Sequence, residues 1–192
     1  MLAQIILFVL DTVCGFLTLA LLVRFAMQWA RTPFRNSLGQ FIVAVTDWMV
    51  RPVRRVIPGL FGLDMASLLL AWLWQVVYQG IALGLSGVLL AVSPAPTFVV
   101  AALALLEVAK ISLYLVMGAV LVSAVFSWVN PYAPLAEVFN TLTRPLLRPF
   151  RRVIPPIGGV DLSPLALLLL LQIVLFVVAS LRNGVLPMML LQ

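Results

Sequence analysis

Four long apolar runs, separated by stretches rich in arginine and proline, set the hydropathy pattern of the chain. The first extends from Leu2 to Met27 and is interrupted only by Asp11 and Arg24. From Met65 to Leu106, 42 consecutive residues contain no Asp, Glu, Lys or Arg, twice the ~20 that one bilayer crossing needs. Ser93-Pro94-Ala95-Pro96 divides that stretch, because prolines remove helical hydrogen bonds and restrict the residues before them. The second run is then Met65–Ala91 and the third Thr97–Trp128, and both are long enough to require tilt or protrusion. The fourth covers Leu162–Leu181, and an apolar tail, Val185–Leu191, is too short to cross and is expected to lie in the interface.

Composition supports this reading. Hydrophobic residues make up 64% of the 192 and charged residues 9%, whereas a water-soluble domain carries about 25% charged residues. The expected fold class is an all-α membrane protein with four transmembrane helices. The net charge of +6 does not point to nucleic acid, because the arginines are concentrated in two short segments beside apolar runs. With Cys14 as the one cysteine and no histidine, an internal disulfide is excluded. A zinc or haem site built from Cys and His is excluded as well, and no cofactor is expected. The N-terminus has neither a basic n-region nor a small-residue cleavage site, so the first run is expected to be a retained span.

The arginines set the expected orientation. Arg31, Arg35, Arg51, Arg54 and Arg55 fall between runs one and two, and Arg144, Arg148, Arg151 and Arg152 between runs three and four. The turn at Ser93–Pro96 is uncharged, and Arg182 is the one charge near the C-terminus. The positive-inside rule places both arginine loops in the cytoplasm and both termini outside. Trp29, Trp48, Trp128 and Tyr132 cluster near that boundary as an aromatic belt would, whereas Trp72 and Trp74 fall mid-span.

The two arginine loops are copies of each other. Arg51-Pro52-Val53-Arg54-Arg55-Val56-Ile57-Pro58 aligns with Arg148-Pro149-Phe150-Arg151-Arg152-Val153-Ile154-Pro155 at an offset of 97, and nine of the fourteen positions from 51 to 64 are identical. The register continues through Gly62/Gly159, Asp64/Asp161 and Gln75/Gln172, and upstream Trp29 aligns with Trp128 at an offset of 99. Both copies enter the membrane from the same side, so the repeats are parallel. The expected organisation is a first repeat at 1–92 (span 2–27, basic loop 28–63, span 64–91) and a periplasmic turn at 93–96. A second repeat follows at 97–192 (span 97–128, basic loop 129–160, span 161–182, tail 185–191).

The residues Trp128-Val129-Asn130-Pro131, Thr143-Arg144-Pro145-Leu146-Leu147-Arg148-Pro149-Phe150-Arg151-Arg152-Val153-Ile154-Pro155-Pro156 and Gly159-Val160-Asp161-Leu162-Ser163-Pro164 resemble the YggT family. The first repeat is a looser version, with Met65-Ala66-Ser67 in place of Leu-Ser-Pro. The resemblance implies a multi-pass protein of the bacterial inner membrane. It also implies links to osmotic-stress tolerance and potassium uptake, to cell division, and in plastids to maturation of the cytochrome b6f haem.

Three groups of residues are candidate sites. Leu135, Val138, Phe139, Leu142 and Leu146, and in the first repeat Phe41, Ile42, Val45, Trp48 and Met49, follow helical spacing. They predict a short amphipathic helix on the cytoplasmic leaflet in each repeat, with prolines forbidding a long one. Arg51, Arg54, Arg55, Arg144, Arg148, Arg151 and Arg152 either anchor these helices to anionic phospholipid or form a specific site for a phosphate or partner carboxylate. Asp64 and Asp161 precede the second and fourth spans, where they cap helices and pair with the nearby arginines. Asp11, Glu107 and Lys110 are charges within apolar runs, and Asp11 aligns with Lys110 at the offset of 99. They form either a structural ion pair or an ion or proton pathway. Arg24 is expected to snorkel to the headgroups, and Gly80, Gly84 and Gly87 to allow close helix packing. Cys14 is expected to be an inert buried thiol.

No nucleophile with a neighbouring base and no phosphate-cradling loop is present, so an enzyme is not expected. A non-enzymatic scaffold or assembly factor fits four small spans with twin basic hairpins, working with protein partners or as a homo-oligomer. An ion transporter, channel or transport modulator is the alternative, and four spans would require it to oligomerise.

Overall fold

The computed structural model describes residues 1–57, 63–85, 96–154 and 161–190. In chain order its helices are α1 (Leu2–Trp29), α2 (Ser37–Val56), α3 (Met65–Leu85), α4 (Pro96–Val129), α5 (Pro134–Val153) and α6 (Ser163–Leu190). Four of them, α1, α3, α4 and α6, are long and apolar enough to cross a membrane. At 1.5 Å per residue, the 34 residues of α4 extend ~51 Å, well beyond a ~30 Å hydrocarbon layer.

The fold repeats. α1, α2 and α3 pack against one another pairwise, and α4, α5 and α6 do the same. Leu21, Val50 and Leu70 meet in the first repeat; their counterparts Val120, Leu147 and Leu167 meet in the second. The repeats join where α4 packs on α3 and α1. Leu83 meets Val100 and Leu103 at one end of that seam, and Met27 meets Val138 and Leu142 at the other. Both arginine-bearing helices therefore lie at one end of the bundle, the basic end. The protein is an all-α membrane protein of four spans in two tandem repeats.

Several expectations need correction. α2 and α5 each run 20 residues despite Pro52, Pro145 and Pro149 inside them. All three prolines lie on exposed faces, where carbonyls left without an amide partner can be solvated. Pro96 begins α4 rather than closing the turn; the first helical amide has no intrahelical acceptor, so proline costs nothing there. α1 ends at Trp29, two residues past the expected boundary. α6 continues as one helix to Leu190, with no break before the segment expected to form an interfacial tail. A Cβ on Gly80 would meet Val100 at 4.0 Å, an ordinary contact, and one on Gly84 would touch nothing, so neither of these two glycines is required for close packing. The turn at Ser93–Ala95, Gly62, Gly87, Gly159 and the hairpin prolines Pro58, Pro155 and Pro156 lie outside the described residues.

Local chemistry fixes the entry to the first hairpin. Thr32 N–H donates to Met27 O (2.8 Å) and Arg31 N–H to Gln28 O (3.0 Å), the paired bonds of a Schellman turn. Arg31 occupies the left-handed position with φ of 55°. The Asn36 side chain then accepts from Gly39 N–H at 2.7 Å and caps α2. A Cβ on Gly39 would lie 2.7 Å from Phe34 O, so the chain needs glycine there.

Candidate functional site

The basic end carries most of the polar contacts. In the first repeat Arg24 is 6% exposed. Its guanidinium donates to Thr46 Oγ1 (2.8 Å) and lies 2.9 Å from Asp47 and 3.4 Å from Asp64. It does not snorkel to the headgroups, because carboxylates from α2 and from the start of α3 neutralise it inside the bundle. Arg54 donates through Nε to Asp64 (3.1 Å) and through a terminal nitrogen to Gln28 Oε1 (3.1 Å). Asp64, 2% exposed, also accepts from the hydroxyl and amide of Ser67 at 2.6 and 3.3 Å. Arg51 reaches Asp47 at 2.7 Å.

The electrostatics follow from these contacts. Burial pushes the Asp64 carboxyl upward, but hydrogen bonds from Arg54 and Ser67 outweigh it and hold the group below the usual carboxylate range. Asp47 is held low in the same way, with Arg24 and Arg51 overcoming its desolvation. The hydrogen bond to Asp64 raises Arg54 above its ordinary value.

The second repeat has a sparser version. Arg151 Nε donates to Asp161 at 2.8 Å, and Asp161 accepts from Ser163 N–H at 2.9 Å. Burial raises the Asp161 carboxyl, but the bonds from Ser163 and Arg151 leave it lowered overall. Among the described residues, Arg55, Arg144, Arg148 and Arg152 form no salt bridge.

The amphipathic faces of α2 and α5 divide their apolar residues between protein and surroundings. Ile42 and Met49 are buried, as are Val138 and Leu142, whereas Phe41 and Trp48 are exposed. Trp29 and Tyr132 are also exposed at this end. The mid-span tryptophans make contacts inside the bundle: Trp72 Nε1 donates to Ala101 O (3.1 Å) and Trp74 Nε1 to Met49 Sδ (3.4 Å).

The charges in the apolar runs do not converge as one trio. Lys110 pairs with Glu107 one turn away on α4, and Glu107 also lies 3.4 Å from Arg182 of α6. Asp11 is not salt-bridged to Lys110; it interacts instead with the Tyr78 side chain, which also feels Glu107 and Arg182. Aligned positions in a parallel repeat need not meet, because each side chain faces its own repeat's neighbours. Asp11 lies 18 residues before the end of α1 and Arg182 19 after the start of α6. That places these groups ~27–29 Å from the basic end, about one hydrocarbon thickness away. Cys14 is a free, buried thiol.

Between the two polar layers, Gln75 Nε2 donates to Thr18 Oγ1 (3.0 Å) at the α1–α3 contact. Its aligned partner, Gln172, is exposed on α6. A crevice of about 280 Å³ with apolar walls, including Leu22, Ala26, Leu115, Ala119 and Leu146, opens between the repeats.

The sequence reading missed Asp47, Gln28, Tyr78 and Arg182 as partners. Asp47 was the most accessible of these, since it precedes Arg51 by one helical turn on the buried side of an amphipathic pattern.

The CCB3/YggT family model matches residues 3–85 and 102–182, one match per repeat. The chain is 38% identical over 168 residues to "Uncharacterized protein YggT" of Escherichia coli K12, covering 87% of this chain and 85% of the relative. It is 38% identical over 176 residues to "Uncharacterized protein PA0392" of Pseudomonas aeruginosa, covering 87% and 84%. It is 34% identical over 174 residues to "Uncharacterized protein in proC 3'region" of Vibrio alginolyticus, covering 90% and 92%. No solved structure matches the chain. The chain belongs to the CCB3/YggT family.

Proposed function

We propose that this CCB3/YggT-family protein is a non-enzymatic scaffold or assembly factor of a bacterial inner membrane, with its basic end in the cytoplasm and both termini in the periplasm. The observation that carries this reading is where the ionisable groups lie. One set sits at the basic end and the other about a hydrocarbon thickness away, and three carboxylates of the first set, Asp47, Asp64 and Asp161, are paired with arginines. The layer between them is apolar apart from a few hydroxyl and amide side chains, as suits a rigid support. α6 leaves most of its span uncovered, with Phe176, Leu169 and Ile173 facing outward beside Gln172. A partner helix fits such a face, since an amide in lipid gains from an interhelical hydrogen bond. The outward aromatics and unpaired arginines of α2 and α5 suit contact with anionic phospholipid.

One observation favours the second reading, ion movement through an oligomer. Thr18, Gln75 and Gln79 form a buried polar stripe in the first repeat, and Gln75 Oε1 and Gln79 Nε2 lack hydrogen-bond partners among the described residues. Ion flux into liposomes carrying the purified protein separates the two readings, with wild type compared with Asp11→Asn and Lys110→Met. Background flux in all three is expected for a scaffold. Flux above background in wild type that either substitution abolishes would overturn it.

A further inference from the structure

The two repeats share one plan at the basic end but differ in charge. In the first, Thr46 accepts from Arg24, and Arg24 is neutralised by Asp47. At the offsets of 97 along the hairpin and 99 along the leading span, the equivalent residues are Thr143, Ser123 and Arg144. The buried cation has become a serine and the aspartate an arginine. The contact between the first two is kept: Thr143 Oγ1 lies 3.4 Å from Ser123 Oγ, with Thr143 1% and Ser123 7% exposed. Ser123 Oγ also donates to Asn140 Oδ1 at 2.6 Å.

These substitutions leave a half-open cavity of about 300 Å³ lined by Ser127, Asn140, Thr143, Arg144, Leu147 and Arg151. Its polar wall includes the donors of Arg144, Arg151, Asn140 and Ser127, while the Thr143 hydroxyl is committed to the bundle. Ser123 engages the Asn140 oxygen, which leaves the amide NH2 group as that side chain's available donor. Arg151 meets Asp161 through Nε, leaving its terminal nitrogens for other acceptors. Arg144 forms no salt bridge with any of the six side-chain carboxylates of the chain, all of which are described. Glu137 is the nearest acid along α5, two turns before Arg144 and outside ion-pair range. In the first repeat the same space is closed electrically, because Asp47 stands where Arg144 stands and takes both Arg24 and Arg51.

We propose that the cavity between the C-terminal part of α4 and α5 is a binding site for one phosphate group, with no counterpart in the first repeat. Arg144 is the principal ligand, and Arg151, Asn140 and Ser127 supply further donors. Planar guanidinium forks suit phosphate oxygens. The same chemistry recognises the phosphodiester of an anionic phospholipid and free inorganic phosphate. The site stands whether the protein acts as a scaffold or moves ions.

The test uses the full chain. In nanodiscs of phosphatidylcholine with increasing phosphatidylglycerol, native mass spectrometry counts retained anionic lipid for wild type, Arg144→Gln and Arg35→Gln. Arg35 is exposed at the same end and outside the cavity, so its substitution removes equal charge without touching the site. A parallel titration of detergent-solubilised protein with inorganic phosphate is followed by ³¹P NMR. Loss of one charge-assisted contact predicts about 10- to 100-fold weaker binding for Arg144→Gln, with Arg35→Gln within about twofold of wild type. Binding confined to the nanodisc arm makes the ligand a lipid headgroup; Arg144-dependent binding of inorganic phosphate makes it the bare anion. Equal weakening by the two substitutions, or no saturable binding in either arm, would overturn the site. Matching thermal melts for the variants separate loss of binding from loss of fold.

Discussion

Arg24 of α1 and Asp47 of α2 are bridged at 2.9 Å, with side chains only 7% and 19% exposed. Removing Arg24 leaves Asp47 with Arg51 alone, and removing Asp47 leaves Arg24 with Asp64 alone, so each loss weakens the network without stranding a charge. Arg24→Met, which leaves Asp47 and Asp64 one arginine each, is therefore expected to cost about 1–3 kcal/mol of stability. Arg24→Met with Asp47→Leu should cost less than the sum of the two single substitutions, because their direct contact is then lost only once. Equilibrium unfolding of the four species in mixed micelles measures the coupling. Strict additivity would mean that the pair does not act as a unit.

Acid should loosen the basic end before it melts the spans. Asp64, Asp47 and Asp161 have lowered pKa values in the folded protein. Their contribution is complete above the unfolded carboxylate value of about 3.9. It is lost as the pH falls below that value and through the lowered native ones. Stability should be flat from pH 7 to about 5 and decline toward pH 2 to 3. Asp64→Asn should flatten part of that decline while lowering stability at pH 7. Tryptophan fluorescence against pH provides the readout, since Trp74 contacts Met49 of α2.

Arg31 holds φ of 55° at the end of α1, a conformation that costs an ordinary L-residue ~1 kcal/mol or more. Its side chain is exposed, so backbone preference should dominate the effect of substitution. Arg31→Gly is expected to raise stability by about 0.5–1 kcal/mol, Arg31→Asn by somewhat less, and Arg31→Val to lower it. Thermal melts would rank the four, and a β-branched residue tolerated as well as glycine would contradict the turn.

Gly39→Ala sets a Cβ against the backbone of Phe34, and backbone cannot move aside as a flexible side chain can. The first turn of α2 should shift and weaken the Asn36 cap, at a cost of about 1–3 kcal/mol. Ala44→Gly, farther along the exposed face of α2, controls for helix propensity and should cost about 1 kcal/mol.

The spans and the duplication were legible because lipid solvation imposes a long one-dimensional pattern and an exact offset survives in the hairpins. The length of α2 and α5 was not. Proline counts alone argue against a helix, and only the fold shows Pro52, Pro145 and Pro149 on exposed faces. Arg24 was misread for a related reason: a cation near a span end snorkels unless carboxylates meet it, and here they come from residues 47 and 64. Asp11 and Lys110 align in sequence, but alignment reports equivalence between repeats and contact depends on the neighbours. Glu107 found Arg182 across the α4–α6 contact, 75 residues away, a distance that no local spacing rule can bridge.

Gln75 and Gln172 occupy equivalent positions, yet Gln75 is bonded to Thr18 inside the bundle and Gln172 is exposed on α6. Removing the amide should therefore have opposite consequences. Gln75→Leu breaks an interhelical hydrogen bond, and in lipid such bonds contribute ~0.6–1.7 kcal/mol; the isolated protein should lose about that much. Gln172 lies nine residues into α6, ~14 Å from the basic end and near mid-bilayer. With only lipid around it, its amide is a liability, and Gln172→Leu should leave the isolated protein unchanged or slightly more stable. The result reverses if a helix of another molecule covers that face, because the same substitution then removes a contact that the assembly uses. Unfolding at low and high protein-to-lipid ratio distinguishes the cases. A cost for Gln172→Leu that grows with protein density assigns α6 to an interface between copies. A neutral effect at every density leaves the face to lipid or to a different partner and removes self-association from the account of this helix.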